Sequence, residues 1–339
     1  MKRAFTLIEL IFSVIIIGIV GSISADIIVR VYDQYVVSRD IESGQNNARR
    51  VLDQIGALLQ TRVKNSTIGR NTTTNSIISI TDSGIDTTYN MLEWIGIAEE
   101  SRRGQHITVT PGAPPLPGGV PMGWSGVAVE TNAVETAVAG GGTKYTYTLK
   151  TPRSNLNSIA MSIEHDLRVV QIFAPDLFGD KQLVFIFAGD DMRGDTYGDQ
   201  NGSWKWNPGD LDSSYFQIHT PTAADEMTVT AFNEDRKLPQ AAVSASKIKP
   251  YFWARSAYAI RVVDGDLILY SGYRPWLGER YDDTYAYIRQ DVLMRDVARF
   301  VFNETGNVVR LVLCVKATDQ VAGNNDDEAV QFCREKVVL

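Results

Sequence analysis

Glu9 is the single charge in a run from Phe5 to Ala25 that is otherwise uncharged and mostly apolar. About 20 such residues are long enough to cross a bilayer as a helix, and an ionised carboxylate buried there calls for a partner. A second candidate chemistry lies in Gly189–Gly202, which is dense in carboxylates and glycines. Calcium takes about six to eight oxygen ligands, so Asp191, Asp195, Asp199 and Asn201 are candidate ligands of a structural ion. The spacing is not that of an EF-hand, and a solvated acidic loop explains the same composition. The third candidate is the pair Cys314 and Cys333, the only cysteines. In an exported domain an even pair close in sequence reads as one disulfide, with two separate buried thiols as the other reading.

Other chemistry is thinly represented. The three histidines, His106, His165 and His219, are widely separated and form no metal-ligand motif. Glu164-His165-Asp166 is a run of neighbours, which do not usually converge on one site. Gly123-Trp124-Ser125-Gly126 lacks the last glycine of a nucleophile elbow, and no phosphate-binding or dinucleotide loop is present. No enzyme is expected, and no cofactor beyond the possible calcium. A net charge of −7 without a basic tail argues against nucleic acid, Arg102-Arg103 being too short a basic run. The aromatics Trp204, Trp206, Tyr251, Phe252, Trp253 and Trp276 read as core residues or as a ligand shelf.

These residues need elements to position them. After Asp26, residues Ala48, Val51, Leu52, Ile55, Leu58 and Leu59 recur at three- and four-residue spacing, so one helix is expected from Phe5 to about Val63. Such a rod is ~90 Å long, with Gly44 and Gly56 as candidate bends and Asn65-Ser66-Thr67 with Gly69 as its end. Short alternating segments follow, expected as strands over 76–81, 91–97, 106–110, 126–131, 144–150, 167–174, 183–188, 226–232, 257–263, 267–270 and 285–290. A closing hairpin of 308–315 with 329–338 would set Cys314 nearly opposite Cys333. No helix alternates with these strands, so the fold class is α+β: a long N-terminal helix against an antiparallel head. Residues 98–143 hold the proline- and glycine-rich stretches and are the expected insertion or small second lobe. Lys2 and Arg3 keep the N-terminus cytoplasmic, which sends the chain beyond Asp26 across the membrane.

Lys2-Arg3-Ala4 followed by Phe5-Thr6-Leu7-Ile8-Glu9-Leu10 resembles the processing site of type IV pilins and of the pseudopilins of type II secretion. The resemblance implies a leader of residues 1–4, removed by prepilin peptidase between Ala4 and Phe5, with N-methylation of Phe5. The usual residue before the cut is glycine, where this chain has Ala4. It further implies a filament-core helix over 5–25, an amphipathic continuation over 26–64 and a β-rich head over 65–339 in a lollipop. Glu9 would face the terminal amine of a neighbouring subunit, and a cation and a carboxylate buried together attract where either alone is penalised.

Ile288–Phe302 and Val308–Leu313 are similar to the tail of large minor pilins and of the pseudopilin beneath the secretion tip, where a short amphipathic segment leads into two strands. The carboxyl-terminal cysteine pair resembles the disulfide loop of many pilins, and some pseudopilins carry structural calcium. The implied partners are other pilins, prepilin peptidase and an inner-membrane assembly platform. The implied location is the inner membrane with a periplasmic head, then a filament. The expected function is a minor pilin or pseudopilin that assembles into, and helps to initiate, such a filament. A tip adhesin and a signal-anchored exported protein of other function are the alternatives.

Overall fold

The computed structural model describes residues 7–63, 66–81, 85–99, 101, 126–137, 141–152, 154, 156, 159, 184–187, 215–218, 223, 225–231, 248–306, 308–316 and 331–339. It opens with one continuous helix, α1 (Leu7–Gln60). The helix ends three residues earlier than its periodicity suggests, because polar side chains just beyond it take the last carbonyls. Thr61 Oγ1 donates to the Leu58 carbonyl at 3.0 Å and Arg62 donates to that of Leu59 at 2.8 Å. Gly69 therefore plays no part in capping and lies in a strand.

The strands are β1 (Ile68–Arg70), β2 (Ile77–Ser79), β3 (Met91–Ile97), β4 (Val127–Ala137), β5 (Thr143–Lys150), β6 (Val184–Phe187) and β7 (Tyr215–Ile218). They continue with β8 (Glu226–Ala231), β9 (Ile248–Val263), β10 (Asp266–Tyr273), β11 (Arg289–Met294), β12 (Val297–Thr305), β13 (Val308–Lys316) and β14 (Gln331–Val338). All pairings among them are antiparallel. One long apolar helix with antiparallel sheets is the α+β class. The segments expected at 106–110 and 167–174 lie outside the described residues.

Strand β9 is the spine of the head. Its 16 residues pair with β4 and β6 at the N-terminal end and with β3 and β10 at the C-terminal end. The first set closes a ring in the order β9, β4, β5, β8, β7, β6 and back to β9. In that ring Tyr147 and Leu149 on β5 face Val229 and Met227 on β8, and all four are buried at period two. Of residues 98–143, the expected insertion, the described strand β4 belongs to this ring.

In the second set, β1, β3, β9, β10 and β11, the strands β3, β9 and β10 are buried on both faces. Leu92, Trp94, Ile260, Leu267 and Leu269 face α1 together with the separate sheet β12-β13-β14. The alternate residues Met91, Ile95, Ala257, Ala259 and Tyr270 face Tyr273, Trp276 and Tyr281 on the far side. A bidentate Arg70–Glu93 pair lies on that far side, with Arg70 Nε 2.8 Å from Glu93 Oε1. Residues 288–302 are two strands meeting at Asp296, which adopts φ 58°, and not a short amphipathic segment leading into strands. Val297, Phe300 and Phe302 supply the buried face of β12. The strand expected from Tyr285 starts at Arg289, and β1 and β7, of three and four residues, are too short to show a period in the sequence.

The buried stripe of α1 is Ala48, Val51, Leu52, Ile55, Gly56 and Leu59, and it packs on β14 and β13. Of the four glycines in α1, Gly44 and Gly56 are docking notches. The Phe332 ring lies against Gly44, and Lys336 runs its aliphatic stem over Gly56, where an added Cβ would come 2.5 Å from its Cε. An exposed helix glycine normally costs about 1 kcal/mol relative to a better helix former. Here the approach of β14 opposes that gain. Gly44→Leu is expected to push Phe332 off the helix and to lower stability by about 1–3 kcal/mol despite its better helix propensity, measured by thermal unfolding of the full chain in detergent; a stabilised variant would contradict this account.

Candidate functional site

From Leu7 to Tyr35 every described side chain of α1 is exposed in the single chain. The apolar ones include Leu7 at 77% and Ile28 at 68% exposure. This part of the helix is long and apolar enough to cross a membrane and is consistent with a single-pass anchor. Glu9 stands in its first turn, and Ser13 Oγ donates to the Glu9 carbonyl at 2.8 Å. Ala4 and Phe5 lie outside the described residues, as do Asp191, Asp195, Asp199 and Asn201. Among the described residues no three His, Cys, Asp or Glu side chains come together as a metal site.

Where α1 leaves this bare stretch, β14 holds it to the head. Lys336 Nζ is 2.7 Å from Asp53 Oδ1, and Arg334 donates to Gln45 Oε1. Across β14, Arg310 grips Glu335 with two bonds of 2.5 and 2.8 Å. Cys314 and Cys333 occupy opposite positions in the β13–β14 register and form a disulfide over a separation of 19 residues. The strand that clamps the helix is thus covalently fixed to the strand beneath it. At the other end of the contact Arg62, 3% exposed, lies 3.7 Å from Glu304 on β12. Burial lowers the Arg62 pKa and the attraction of Glu304 opposes this.

A groove of about 380 Å³ runs along the seam. Asp40, Ser43, Asn47 and Arg50 of α1 form one wall, Arg295, Asp296 and Lys316 the other, with Val51, Met294 and Phe332 as apolar lining. Its walls thus carry charges of both signs over an apolar lining. The aromatics singled out in the sequence divide. Tyr251 and Trp253 are fully buried and Trp276 is 6% exposed, which makes them core, whereas Trp204 and Trp206 lie outside the described residues. Sequence reasoning missed Phe332, Arg334 and Lys336 as helix-clamping residues; their alternation on β14 was the available signal.

No family model matches the chain, and neither a curated protein nor a solved structure does. A long apolar N-terminal helix followed by a β-sheet head is compatible with a pilin-like fold.

Two predictions follow from the clamp. Closing a loop of about 20 residues with a disulfide stabilises by about 3 kcal/mol in the chain-entropy account, so Cys314→Ser with Cys333→Ser should lower the unfolding free energy by that order. Amide exchange should accelerate first along β14 and the 45–56 stretch of α1; uniform acceleration would contradict the clamp. The second concerns acid. The hydrogen bond from Lys336 lowers the Asp53 pKa, and that from Arg310 lowers the Glu335 pKa. A carboxyl with a lower pKa in the folded state binds fewer protons there than when unfolded. Its contribution is complete above the unfolded value and is lost as pH falls through the folded one. The seam should therefore loosen only below about pH 4, seen as faster exchange of β14 amides, and Asp53→Asn should flatten that dependence.

Proposed function

We propose that the chain is a minor pilin or pseudopilin, which assembles through α1 into a type IV pilus or a type II secretion-like filament and helps to initiate it. The observation that carries this reading is how far the bare apolar helix continues. A bilayer core takes about 20 residues, which Leu7 to Ala25 nearly fill. Ile27, Ile28, Val29, Val31, Tyr32 and Tyr35 continue beyond them, each at least 55% exposed, over some ~12 Å of helix. A lone anchor has no use for large apolar side chains above the membrane. Helices of like subunits packed side by side would cover them, at about 1.5–3 kcal/mol for each aliphatic side chain fully buried.

The Phe5-to-Glu9 signature agrees with this. In a helix bundle Glu9 would sit in a low dielectric with the terminal amine of a neighbour, which sets axial register. The head would be turned outward by the rod, its sheets untouched by the bundle. The lollipop arrangement, processing at Ala4, the periplasmic placement and the pilin partners all belong to this proposal.

Intact mass and N-terminal fragmentation of the mature protein from its own membranes test it. The expected result is loss of residues 1–4 with one methyl group on the amine of Phe5; Met1 retained, or a start elsewhere, would overturn the reading. Glu9→Ala should leave processing and head stability unchanged yet abolish in-membrane cross-linking to partner subunits.

A further inference from the structure

The far face of the β3-β9-β10 sheet, opposite α1, is covered by the segment that joins β10 to β11. That cover is tightly built. Pro275–Leu277 form a 3-10 turn closed by Gly278 in the left-handed region, at φ 81°. Trp276 and Tyr281 are buried beneath it, the Tyr281 ring meeting Tyr270 edge-on at 5.2 Å with the Arg261 guanidinium 5.4 Å above. Gly272, at φ 93°, leaves no room for a Cβ against the Tyr287 carbonyl.

On this base stands a three-layer stack. Arg274 and Glu279, with side chains 15% and 7% exposed, are joined by bonds of 2.6 and 3.1 Å, and Glu279 also accepts the Arg274 backbone N–H at 2.8 Å. The Arg274 guanidinium lies 4.6 Å from the centre of the Tyr287 ring. The Tyr287 hydroxyl donates to Glu279 at 2.7 Å. Burial and that hydrogen bond push its pKa up to about 12, so the donor stays protonated throughout the physiological range. The Tyr285 ring lies on Tyr287 with centres 5.3 Å apart and planes 5° from parallel.

Tyr285 is 52% exposed. An exposed tyrosine is ordinary, but one held flat by a largely buried ion pair is pre-organised. We propose that Tyr285 is a stacking platform for a neutral saccharide ring. The apolar C–H face of a pyranose matches an aromatic face, and its hydroxyls need fixed donors and acceptors beside it. Arg280 and Asp282, five and three residues earlier in the same cover, are the exposed donor and acceptor nearest to it in sequence. They are paired at 3.1 Å with side chains 36% and 49% exposed, and Arg280 also reaches Asn75 at 3.4 Å.

The surroundings weigh against other occupants. A nucleobase would bring phosphate toward Glu279, Asp282 and Asp283, where a net cationic track would be needed. A protein interface has an apolar centre of several side chains, whereas Tyr285 presents a single ring.

The test uses the full chain in detergent micelles, titrated with cellotetraose and with chitotetraose as neutral β-linked probes and followed by ligand-observed saturation-transfer NMR. Wild type should bind at least one probe with sub-millimolar to low-millimolar affinity. Tyr285→Ala should weaken this at least tenfold without a change in melting temperature, Tyr285→Phe should stay within about twofold, and Glu279→Gln should lose several-fold by loosening Tyr287. Binding of neither probe, equal binding by Tyr285→Ala, or loss of association with another protein in place of sugar would each overturn the proposal. Tighter binding of a sulfated heparin fragment than of both neutral probes would overturn the neutral class.

Discussion

The stripe Ala48, Val51, Leu52, Ile55 and Leu59 must be removed from water on a helix whose preceding 41 described residues cannot fold back to cover it. That constraint organises the head. A straight helix offers one face, so the cover has to be a sheet lying along it, and β13 with β14 supplies this. Close approach needs small residues on the helix, which is the use made of Gly44 and Gly56. The disulfide and the Lys336–Asp53 pair then secure the edge strand β14, which has a hydrogen-bonded neighbour on one side only among the described residues. An edge strand in that position is exposed to fraying, and the cross-link and side-chain ties oppose it.

The same sheet logic reaches the far side. Because β3, β9 and β10 send apolar side chains alternately toward α1 and away from it, both faces need cover. One cover is the helix with its three-stranded sheet, and the other is the segment between β10 and β11. The alanines Ala257 and Ala259 leave room for Trp276 and Tyr281, so the cover settles close to the sheet. Rigidity on that side derives from packing below and from the Arg274–Glu279 pair above. A loop that would otherwise be soft becomes a surface on which one ring is presented in a single orientation.

Much of this was legible from local pattern. Strand β5 stands where its alternation indicates, because period two survives in any context, and β3 stands at its expected bounds although both its faces are buried. The cysteines were legible too, since a turn-rich stretch between two strand-like runs sets the register of a hairpin. The end of α1 was misplaced by three residues because Thr61 and Arg62 cap it through side chains, a choice that depends on β3 and Glu304 being nearby. Strand β12 was hidden because an alternating run next to another strand reads equally as a short amphipathic segment until the partner β13 is in place.

By itself the sequence determined the properties that depend on neighbours along the chain. These are a helix with one bare apolar half and one striped half, a β-rich remainder, and a cysteine pair at facing positions. Only the tertiary structure decided what depends on residues far apart. The ring closed through β9 joins Val184–Phe187 to Tyr251–Ala254, and the notches pair Gly44 with Phe332 and Gly56 with Lys336. The stack of Arg274, Tyr287 and Tyr285 has a face to stand on only because Tyr270 and Arg261 meet Tyr281 across the sheet. Period and propensity report how one segment buries itself. Which surface it meets is set by the packing of the whole chain, since each face must find its cover among elements that local pattern does not name.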